Sequence, residues 1–542
     1  MPVRTPRIML VVGLTTLSVV GLVAAGPGAA AAAPGRSANA RSAAVHVPPL
    51  PLGPRGLRQV QTTSTLTRGV TLTEVTRGTV DRDLRWTLEV AGAAPTSEDP
   101  DASGPVIMTS TQAREVAGQV RDAGLQPRIE LVRQPLHTDV SAGVLGYRVR
   151  VGSYRAQADA TAPAAELTAA GLHATERYTG WDESATVRGP WHLNILTVDP
   201  KSFRGRLQTS YGADMRTADK PSATAESLGA MAATNASFFV FHADDSDQGT
   251  PAGNGVYGGK LLSEPRIDRP GLVLHANGTS NVARYDWRAS VVAGGRSVRL
   301  DGLNRSPAVI MQCGEPGVSL SAFGTCRPKN NLVEITPEYG SSTPVGSGAE
   351  AVLDRNGHVV RVSSSRGTSL AAGQVALQGI GTGAAVVKHW RVGQRVTVRT
   401  TLLRDGRASI PSANTSIATG EPALVTDGVA KATIKRDHMA ASDDASSSYG
   451  FNNERNPRTL AGTDRAGRTV IITCDGRSTT DLGLTIGEES QVAKALGLVN
   501  AINLDGGGST SMSIDGHLIN HPSDPAGERP TGDALLVIPG GR

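Results

Sequence analysis

The sequence predicts an α+β protein, with a large β-rich domain over residues 183–542 that follows a small α/β repeat module. Two observations support this class. From about residue 187 onward, short strand patterns such as residues 193–198 and 396–403 are separated by Asp-Gly and Asn-Gly turn signals. Helical stretches are few in this region, and one of them, over residues 485–496, lies between two apolar strands. We therefore expect short strands to build most of the C-terminal core.

The composition excludes several classes of protein. The chain has 542 residues, and its 54 Lys and Arg against 49 Asp and Glu give a net charge of +5. It contains no concentrated basic stripe that could neutralise several phosphates, so we expect no nucleic-acid partner. Apolar residues make up 39% of the chain, and 63 Gly and 32 Pro make turns abundant. Collagen, disorder throughout and multi-pass membrane association are not expected.

The N-terminus has the order of a secretory signal. Arg4 and Arg7 precede an apolar run over residues 8–25 and a small-residue stretch over residues 29–33. We predict a signal peptide over residues 1–33 and a secreted, extracellular protein, with cell-wall association left open. An uncleaved membrane anchor is the alternative.

Two segments precede the large domain. Residues 34–103 are predicted to be a linker and a poorly defined N-terminal region, with one or two strands between residues 62 and 90. Residues 104–182 contain a weak internal repeat, in which each copy is a strand, a helix, a glycine stop and a strand. The strand over residues 147–154 makes this segment similar to the SPOR family, whose modules bind peptidoglycan glycan strands. The resemblance implies peptidoglycan as a partner, and a packing module without a ligand is the alternative.

The three cysteines have different predicted roles. Cys313 and Cys326 bracket a loop rich in Gly, Pro and Ser, where an exported protein can keep a disulfide. We predict that these two residues are bonded to each other. Cys474 ends an apolar run and is expected to be a buried, inert thiol.

The strongest functional signal lies near the C-terminus. An apolar strand over residues 469–474 stops at Asp475, a helix with a capping box follows, and a second apolar strand over residues 499–504 stops at Asp505. Such a strand–helix–strand unit implies a right-handed crossover and two parallel strands. Both aspartates are then predicted to lie at the carboxyl edge of one sheet, where open α/β sheets bind ligands.

A glycine triplet and a hydroxyl-rich run follow Asp505. Consecutive glycines let the backbone approach a ligand closely and turn amide donors toward an anion, and hydroxyls add hydrogen bonds. An ordinary Asp-Gly turn is the alternative. The residues predicted here to bind substrate are Gly506, Gly507, Gly508, Ser509 and Thr510.

The run over residues 503–512 resembles the signature of the phosphodiester glycosidase family. Blocks at residues 234–239, 456–459 and 475–477 follow in the family's order, although the first carries Ala and Ser in place of two glycines. The resemblance covers about residues 190–542. It implies an exported hydrolase that cleaves the glycosidic C–O bond of sugar-1-phosphodiesters, of the GlcNAc-1-phosphodiester type, in cell-surface polymers.

That reaction suggests roles for individual residues. Its leaving group is an anionic phosphate that needs little protonation, so the site needs cations for the phosphate and carboxylates for the sugar carbon or the attacking water. We predict Asp505 and Asp475 as catalytic carboxylates. Arg458 and Arg477 are predicted phosphate ligands, because a guanidinium group matches phosphate oxygens. Asn235 is predicted to hydrogen-bond the sugar or the phosphate.

No cofactor and no metal are predicted. The histidines lack metal-ligand spacing, although calcium is left open at two acidic loops, that of Asp244 and Asp245 and that of Asp443 and Asp444. Glu421 and Asp427 are predicted turn residues. Two other functions fit the sequence: a non-catalytic protein that binds cell-wall polysaccharide, and a phosphodiesterase that cleaves the P–O bond, which normally benefits from metals.

Overall fold

The computed structural model describes residues 45–94, 104–241, 248–266, 268–313, 325–440 and 444–540. The predicted signal peptide lies outside these residues, and so do Asp244, Asp245 and Asp443. In the described part of the chain, no helix is both long enough and apolar enough to cross a membrane. The same part forms thirty β-strands and six α-helices.

The strands are numbered in chain order. The first fifteen are β1 Gln59–Thr67, β2 Val70–Arg77, β3 Trp86–Val90, β4 Pro127–Gln134, β5 Gly143–Tyr154, β6 Ala174–Tyr178, β7 Trp191–Val198, β8 Gly205–Ser210, β9 Ala232–Asn235, β10 Gly255–Tyr257, β11 Lys260–Ser263, β12 Arg269–His275, β13 Ser280–Ala293, β14 Arg296–Arg299 and β15 Gly302–Leu303. The others are β16 Asn331–Ile335, β17 Gly346–Leu353, β18 Val359–Arg366, β19 Val375–Ile380, β20 Val396–Arg404, β21 Arg407–Ser409, β22 Thr415–Thr419, β23 Ala423–Thr426, β24 Val429–Ala430, β25 Arg458–Asp464, β26 Thr469–Cys474, β27 Leu498–Asn503, β28 Met512–Ile514, β29 His517–Leu518 and β30 Ala534–Pro539. The helices are α1 Ser110–Asp122, α2 Thr161–Ala169, α3 Pro221–Leu228, α4 Thr382–Lys388, α5 Ala445–Asn452 and α6 Ile486–Ala495.

The central sheet has eight strands in the order β1-β2-β7-β26-β25-β27-β23-β24. Its two outermost strands on one side, β1 and β2, come from the region predicted to be a linker. β2 pairs along its whole length with β7, and Val70 and Leu72 are buried with Leu196 and Val198. The segment over residues 59–77 is therefore part of the large domain.

The strand–helix–strand unit differs from the prediction in one respect. β26 and β27 are both antiparallel to β25, so they run parallel to each other, as predicted, but β25 lies between them. The reason is that β25 forms a hairpin with β26 and occupies the neighbouring position, so α6 must carry the chain across β25. The predicted helix is confirmed: Thr485 and Glu488 form the capping box at its start.

The middle of this sheet is buried on both faces. Alternate residues of each strand enter two different hydrophobic clusters: Ile472 and Leu460 lie in one, and Ile471 and Ala461 lie in the other. Helix α6 packs on the first face. The second face is covered by the sheet β29-β28-β9-β30-β8 and by β12. This two-sided burial explains why β26 and β27 are largely apolar runs rather than alternating patterns.

The N-terminal module is a four-stranded sheet in the order β4-β5-β3-β6, with α1 and α2 on one face. The first strand predicted for the repeat is only an isolated bridge between Met108 and Tyr147. Its place in the sheet is taken by β3, which comes from the region predicted to be a linker. The module therefore draws its strands from residues 86–178.

The predictions for the cysteines are confirmed. Cys313 and Cys326 form a disulfide with a Cα–Cα distance of 5.8 Å. Cys474 is a free thiol at the end of β26 and is completely buried.

Candidate active site

The ends of three adjacent strands create the edge at which the chemistry was predicted. β26 ends before Asp475, β27 ends before Asp505, and β25 begins between them at Arg458, which pairs with Cys474. The two aspartates therefore lie at the same edge, as predicted. They are separated by two strand spacings, about 10 Å.

Asp475 is a buried carboxyl group with two specific donors. Its side chain accepts hydrogen bonds from Asn520 Nδ2 at 2.9 Å and from the backbone N–H of His521 at 3.1 Å. Burial raises the pKa of Asp475 to about 6, although both hydrogen bonds act in the opposite direction. A pKa in this range suits a general acid or base, but only 2% of Asp475 is exposed, the same fraction as for Arg458.

Two histidines extend this cluster toward solvent. His192 Nδ1 lies 2.5 Å from Asp481 Oδ1, and this hydrogen bond raises the pKa of His192. His521 is exposed, and its Nδ1 lies 3.7 Å from Asp475 Oδ2. His192, Asp481 and His521 were not predicted as site residues, because they come from three separate segments and share no motif.

This cluster also has the composition of a cation site. Asp475, Asp481 and His521 each offer one ligand atom, and these atoms lie within 4.8 Å of one another. The carboxylate oxygens already accept hydrogen bonds from the protein, including those of Ser478 and Thr480 to Asp481. Carboxylate and imidazole ligands together suit a divalent cation. Residue spacing in the sequence cannot reveal a grouping of this kind, because His521 is far from the two aspartates in the chain.

Asp505 opens the glycine turn. It is half-buried, its Oδ1 accepts a hydrogen bond from Gly506 N at 2.9 Å, and Gly507 N donates to Pro457 O at 3.0 Å. Gly507 has a φ of 58°, and a Cβ on Gly506 would lie 2.9 Å from Pro457 O. Side chains are therefore excluded from the first two glycine positions by backbone conformation and by the neighbouring loop.

The third glycine packs against an arginine that the sequence analysis missed. A Cβ on Gly508 would overlap the guanidinium group of Arg529. Arg529 Nε donates to Asp524 Oδ2 at 2.7 Å, which holds the side chain in this position. A cation thus lies directly beside the glycine turn. Arg529 follows no strand or recognisable motif, so only the folded chain reveals its position.

Arg458 does not fit the predicted role of phosphate ligand. It is only 2% exposed, and its guanidinium group donates to the carbonyl oxygens of Leu484 and Phe451 and lies over the Phe451 ring. Burial lowers its pKa to about 10. Glu489, which is also completely buried, acts on this pKa in the opposite direction. Arg458 therefore supports the start of β25 from within.

Asn235 and the two hydroxyl residues of the turn are also internal. Asn235 is fully buried, donates to Asp505 O at 2.6 Å, and accepts hydrogen bonds from Thr459 Oγ1 and Ser511 N. Ser509 and Thr510 are 2% and 0% exposed. Asn235 therefore holds the turn in place, and all three side chains are enclosed in the protein rather than exposed at a substrate surface.

Arg477 lies at the rim of this edge, two residues after Asp475, and its role as a phosphate ligand stays a prediction. It is half-buried, adopts a φ of 60°, and donates from Nε to Asn456 Oδ1 at 3.0 Å.

Asp427 lies in the hairpin turn between β23 and β24, as predicted. Glu421 does not: it is completely buried and pairs with Arg269 at 2.7 Å.

Comparison with known proteins gives the same family over part of the chain. Residues 347–538 match the family model described as phosphodiester glycosidase, which confirms the resemblance found in the sequence over that range. The N-acetylglucosamine-1-phosphodiester alpha-N-acetylglucosaminidases of Mus musculus and Homo sapiens are each 40% identical over 74 residues. The matched stretch is 14% of this chain and 14% of each relative. The SPbeta prophage-derived protein YomE of Bacillus subtilis (strain 168) is 39% identical over 85 residues, which are 16% of this chain and 13% of that protein. The chain thus spans about a seventh of the length of the curated relatives it matches.

Two solved structures resemble most of the described fold. A protein from Burkholderia pseudomallei K96243 has a TM-score of 0.80 at 28% identity, covering 90% of this chain and 98% of its own. A hypothetical protein from Synechocystis has a TM-score of 0.50 at 16% identity, covering 88% of this chain and 76% of its own, and its likeness concerns the fold alone.

Proposed function

We propose that this chain, which matches the phosphodiester glycosidase family over residues 347–538, is an exported hydrolase of sugar-1-phosphodiesters in cell-surface polymers. The bond it cleaves is the glycosidic C–O bond, and the products are a free sugar and a phosphomonoester. The substrate type follows the names of the mammalian relatives, which act on N-acetylglucosamine-1-phosphodiesters.

One arrangement carries this proposal. The carboxyl groups of Asp475 and Asp505 stand at one sheet edge on either side of the start of β25, beside a glycine turn that Arg529 packs against. Hydrolysis of a glycosyl phosphodiester needs a carboxylate near the sugar carbon, a group that takes a proton from water, and cations around the phosphate. Each requirement has a residue of the right chemistry at this edge.

The phosphate is bound by the cationic side of the site. Arg477 at the rim and Arg529 beside Gly508 supply guanidinium donors, and such forked groups match phosphate oxygens. As the C–O bond breaks, its electron pair goes to the phosphate oxygen. These donors then stabilise the additional negative charge, so the leaving group departs without a strong general acid.

The carboxyl groups act on the sugar carbon and on water. Asp505, which is half-buried, stabilises the positive charge that develops at the anomeric carbon. Asp475, with its pKa of about 6, accepts a proton from water as the water oxygen bonds to that carbon. His521 at the rim of the cluster is placed to pass this proton to solvent.

The test is product identification with the full chain. The protein is incubated with each anomer of a methyl GlcNAc-1-phosphodiester, and the products are assigned by mass spectrometry. We expect free GlcNAc and methyl phosphate, formed in water enriched in ¹⁸O with the label in the sugar. Label in the phosphate would contradict C–O cleavage. Binding of the substrate without turnover would favour the non-catalytic binding protein.

A P–O phosphodiesterase is the second candidate, because Asp475, Asp481 and His521 could hold a divalent cation that polarises phosphate. In that case the product is GlcNAc-1-phosphate, and a chelator abolishes turnover until a divalent ion is added back. Asp481→Asn separates the two mechanisms further. This substitution should abolish a metal-dependent reaction. For glycosidic cleavage we expect mainly a change in the pH dependence of turnover, because the hydrogen bond to Asp481 raises the pKa of His192.

Export and peptidoglycan binding are proposed on the sequence patterns alone. The basic, apolar and small-residue order of residues 1–33 supports export, and N-terminal sequencing of the secreted protein tests it. Peptidoglycan binding by the module is tested by sedimentation with purified sacculi. For the first experiment, the cytoplasmic fraction of the same culture serves as the control.

A further inference from the structure

The two faces of the module's sheet differ in character. Val149 and Val151 of β5 pack against the helices. The alternate residues, Arg148 and Arg150, point to the opposite face and are only 6% and 2% exposed. Arginine is almost never buried to this degree unless it is paired. Another part of the chain must therefore cover this face and supply the partners.

Both arginines converge on Asp182. Arg148 donates to its two carboxylate oxygens at 3.0 Å each, and Arg150 donates to the same two oxygens at 2.6 and 2.8 Å. Burial alone would raise the pKa of Asp182, but the two guanidinium groups hold it at about 2. Arg150 also donates to Glu89 at 2.9 Å. The charges in this buried cluster are thus compensated within it.

The cluster continues into residues 444–457, which we call the brace segment. Arg148 Nη1 lies 3.2 Å from the hydroxyl of Tyr449 in α5. Asp182 and Glu454 form an isolated β-bridge, and Arg177 of β6 forms an ion pair with Glu454. The brace segment therefore lies against the charged face of the module.

Hydrogen bonds at the edge of this face also join the module to the brace segment. His137 Nε2 lies 3.1 Å from Asn453 Oδ1, and Asn453 Nδ2 donates to Gln134 Oε1 at 3.2 Å. The backbone N–H of Ile107 donates to Ser446 Oγ at 2.9 Å. Since these contacts use two separate segments of the module, around Ile107 and around residues 134–137, they fix the brace segment at more than one point.

The other end of the brace segment forms part of the candidate site. Asn456 Oδ1 accepts the hydrogen bond from Arg477 Nε at 3.0 Å, and Pro457 O accepts the hydrogen bond from Gly507 N at 3.0 Å. Phe451 O accepts a hydrogen bond from Arg458. A displacement of the brace segment would move the rim arginine and the glycine turn together.

We infer that the N-terminal module is an internal brace of the candidate site, in which Arg148 and Arg150 are positioning residues that set the brace segment and, through it, Arg477 and Gly507. The catalytic consequence of this inference rests on the proposed function, whereas the structural consequence does not. The large domain without its module would then keep its central sheet but lose the geometry of its site.

The test uses Arg148→Lys in the full chain. Lysine keeps the positive charge but cannot make the forked contact with Asp182 or reach Tyr449 at the same time. We expect amide hydrogen exchange in the brace segment to accelerate about tenfold or more while exchange in β25 and β26 is unchanged. If substrate turnover is observed for the wild type, kcat should fall about tenfold for the same reason.

Two control variants separate positioning from general destabilisation. Arg128→Lys makes the same substitution in the neighbouring strand β4, where the side chain is 45% exposed and contacts Gly152 and Thr87 within the module. Val120→Ala creates a cavity in the module core on the helix side, because Val120 is completely buried there. Neither should change brace-segment exchange or kcat below its own melting temperature.

The outcomes test the brace separately from the proposed function. Unchanged exchange in the brace segment of Arg148→Lys overturns the brace. Equal acceleration in Val120→Ala also overturns it, since the effect would then be general. If Arg148→Lys fails to fold, Tyr449→Phe is measured instead, and about a threefold acceleration confined to the brace segment is expected. A wild type without turnover overturns the proposed function, and the exchange data still decide the brace.

Discussion

The side-chain amide of Asn520 links Asp475 to the glycine turn: its Nδ2 lies 2.9 Å from Asp475 Oδ1 and 3.1 Å from the carbonyl oxygen of Thr510. Its Oδ1 accepts the backbone N–H of Met512 at 2.8 Å. One buried amide thus fixes the carboxyl group with respect to the turn that begins at the other aspartate. The relative position of the two halves of the candidate site depends on this residue.

Asn520→Ala should shift the pH profile of the reaction. The hydrogen bond from Asn520 lowers the pKa of Asp475, so its removal raises that pKa further above about 6. Asp475 must be ionised to accept a proton, so the acidic limb of the kcat/KM profile moves to higher pH and activity falls more at pH 6 than at pH 8. Asn500→Ala, in the half-buried part of β27, is the control. An unshifted limb would argue against Asp475 as the base.

Asp505→Asn should abolish turnover without unfolding the protein. The substitution removes the negative charge that stabilises the sugar carbon but keeps an oxygen that can accept the Gly506 N–H. We expect kcat to fall by about a thousandfold, in the range found for such groups. Asp515→Asn is the matched control, because Asp515 also precedes a glycine in a turn and is exposed. A loss of less than tenfold in kcat would exclude Asp505 from the reaction.

Arg529→Gln should weaken phosphate binding. The variant keeps hydrogen-bonding capacity beside Gly508 but loses the cation, so we expect KM to rise about tenfold and inhibition by methyl phosphate to weaken in parallel. Gly508→Ala should have a similar effect, because the added Cβ displaces the same guanidinium group. Arg465→Gln, at an exposed turn, serves as the control. If inhibition by methyl phosphate is unchanged in Arg529→Gln, this arginine does not hold the phosphate.

Glu489→Gln should stabilise the protein increasingly as the pH rises. Burial raises the pKa of Glu489 to about 8 from an ordinary value of 4.5, so the folded state binds a proton that the unfolded state has lost. This carboxyl group therefore lowers the free energy of unfolding as the pH rises from about 4.5 to about 8, and glutamine removes the effect.

The measurement is urea unfolding of both proteins at pH 5 and pH 8. We expect nearly equal midpoints at pH 5 and a higher midpoint for the variant at pH 8. Glu74→Gln, at an exposed position of β2, should show no such divergence. A constant difference between Glu489→Gln and the wild type at both pH values would mean that the carboxyl group does not titrate in this range.

Local signals in the sequence predicted the correct local structure. The capping box at Thr485 and Glu488, the disulfide of Cys313 and Cys326 and the end of β26 at Asp475 each depend on residues close in the chain. The family signature likewise located the glycine turn. Such features could be predicted from the sequence because their physical cause is contained within a short segment.

Features that depend on contacts between distant segments could not be predicted from the sequence. Nothing near Arg529 or Asn520 indicates that their side chains reach Gly508 and Asp475, since both lie in a turn-rich loop without periodicity. Arg458 and Asn235 were predicted at the substrate because their residue types suit it, but the paired strands enclose them. The module sheet contains β3 instead of the predicted first strand of the repeat. This also depends on distant segments, because β3 pairs with β5, about sixty residues away in the chain.

The buried ion pairs between the module and the rest of the chain restrict which recombined proteins can fold. A copy of residues 86–178 moved to another protein would carry Arg148 and Arg150 on a face without Asp182, Tyr449 or Glu454 to receive them. The donor protein would retain a buried Asp182 and Glu454 without counter-charges, a costly state for a folded domain. Shuffling at these borders would therefore damage both products, and the two parts are expected to be inherited as one unit.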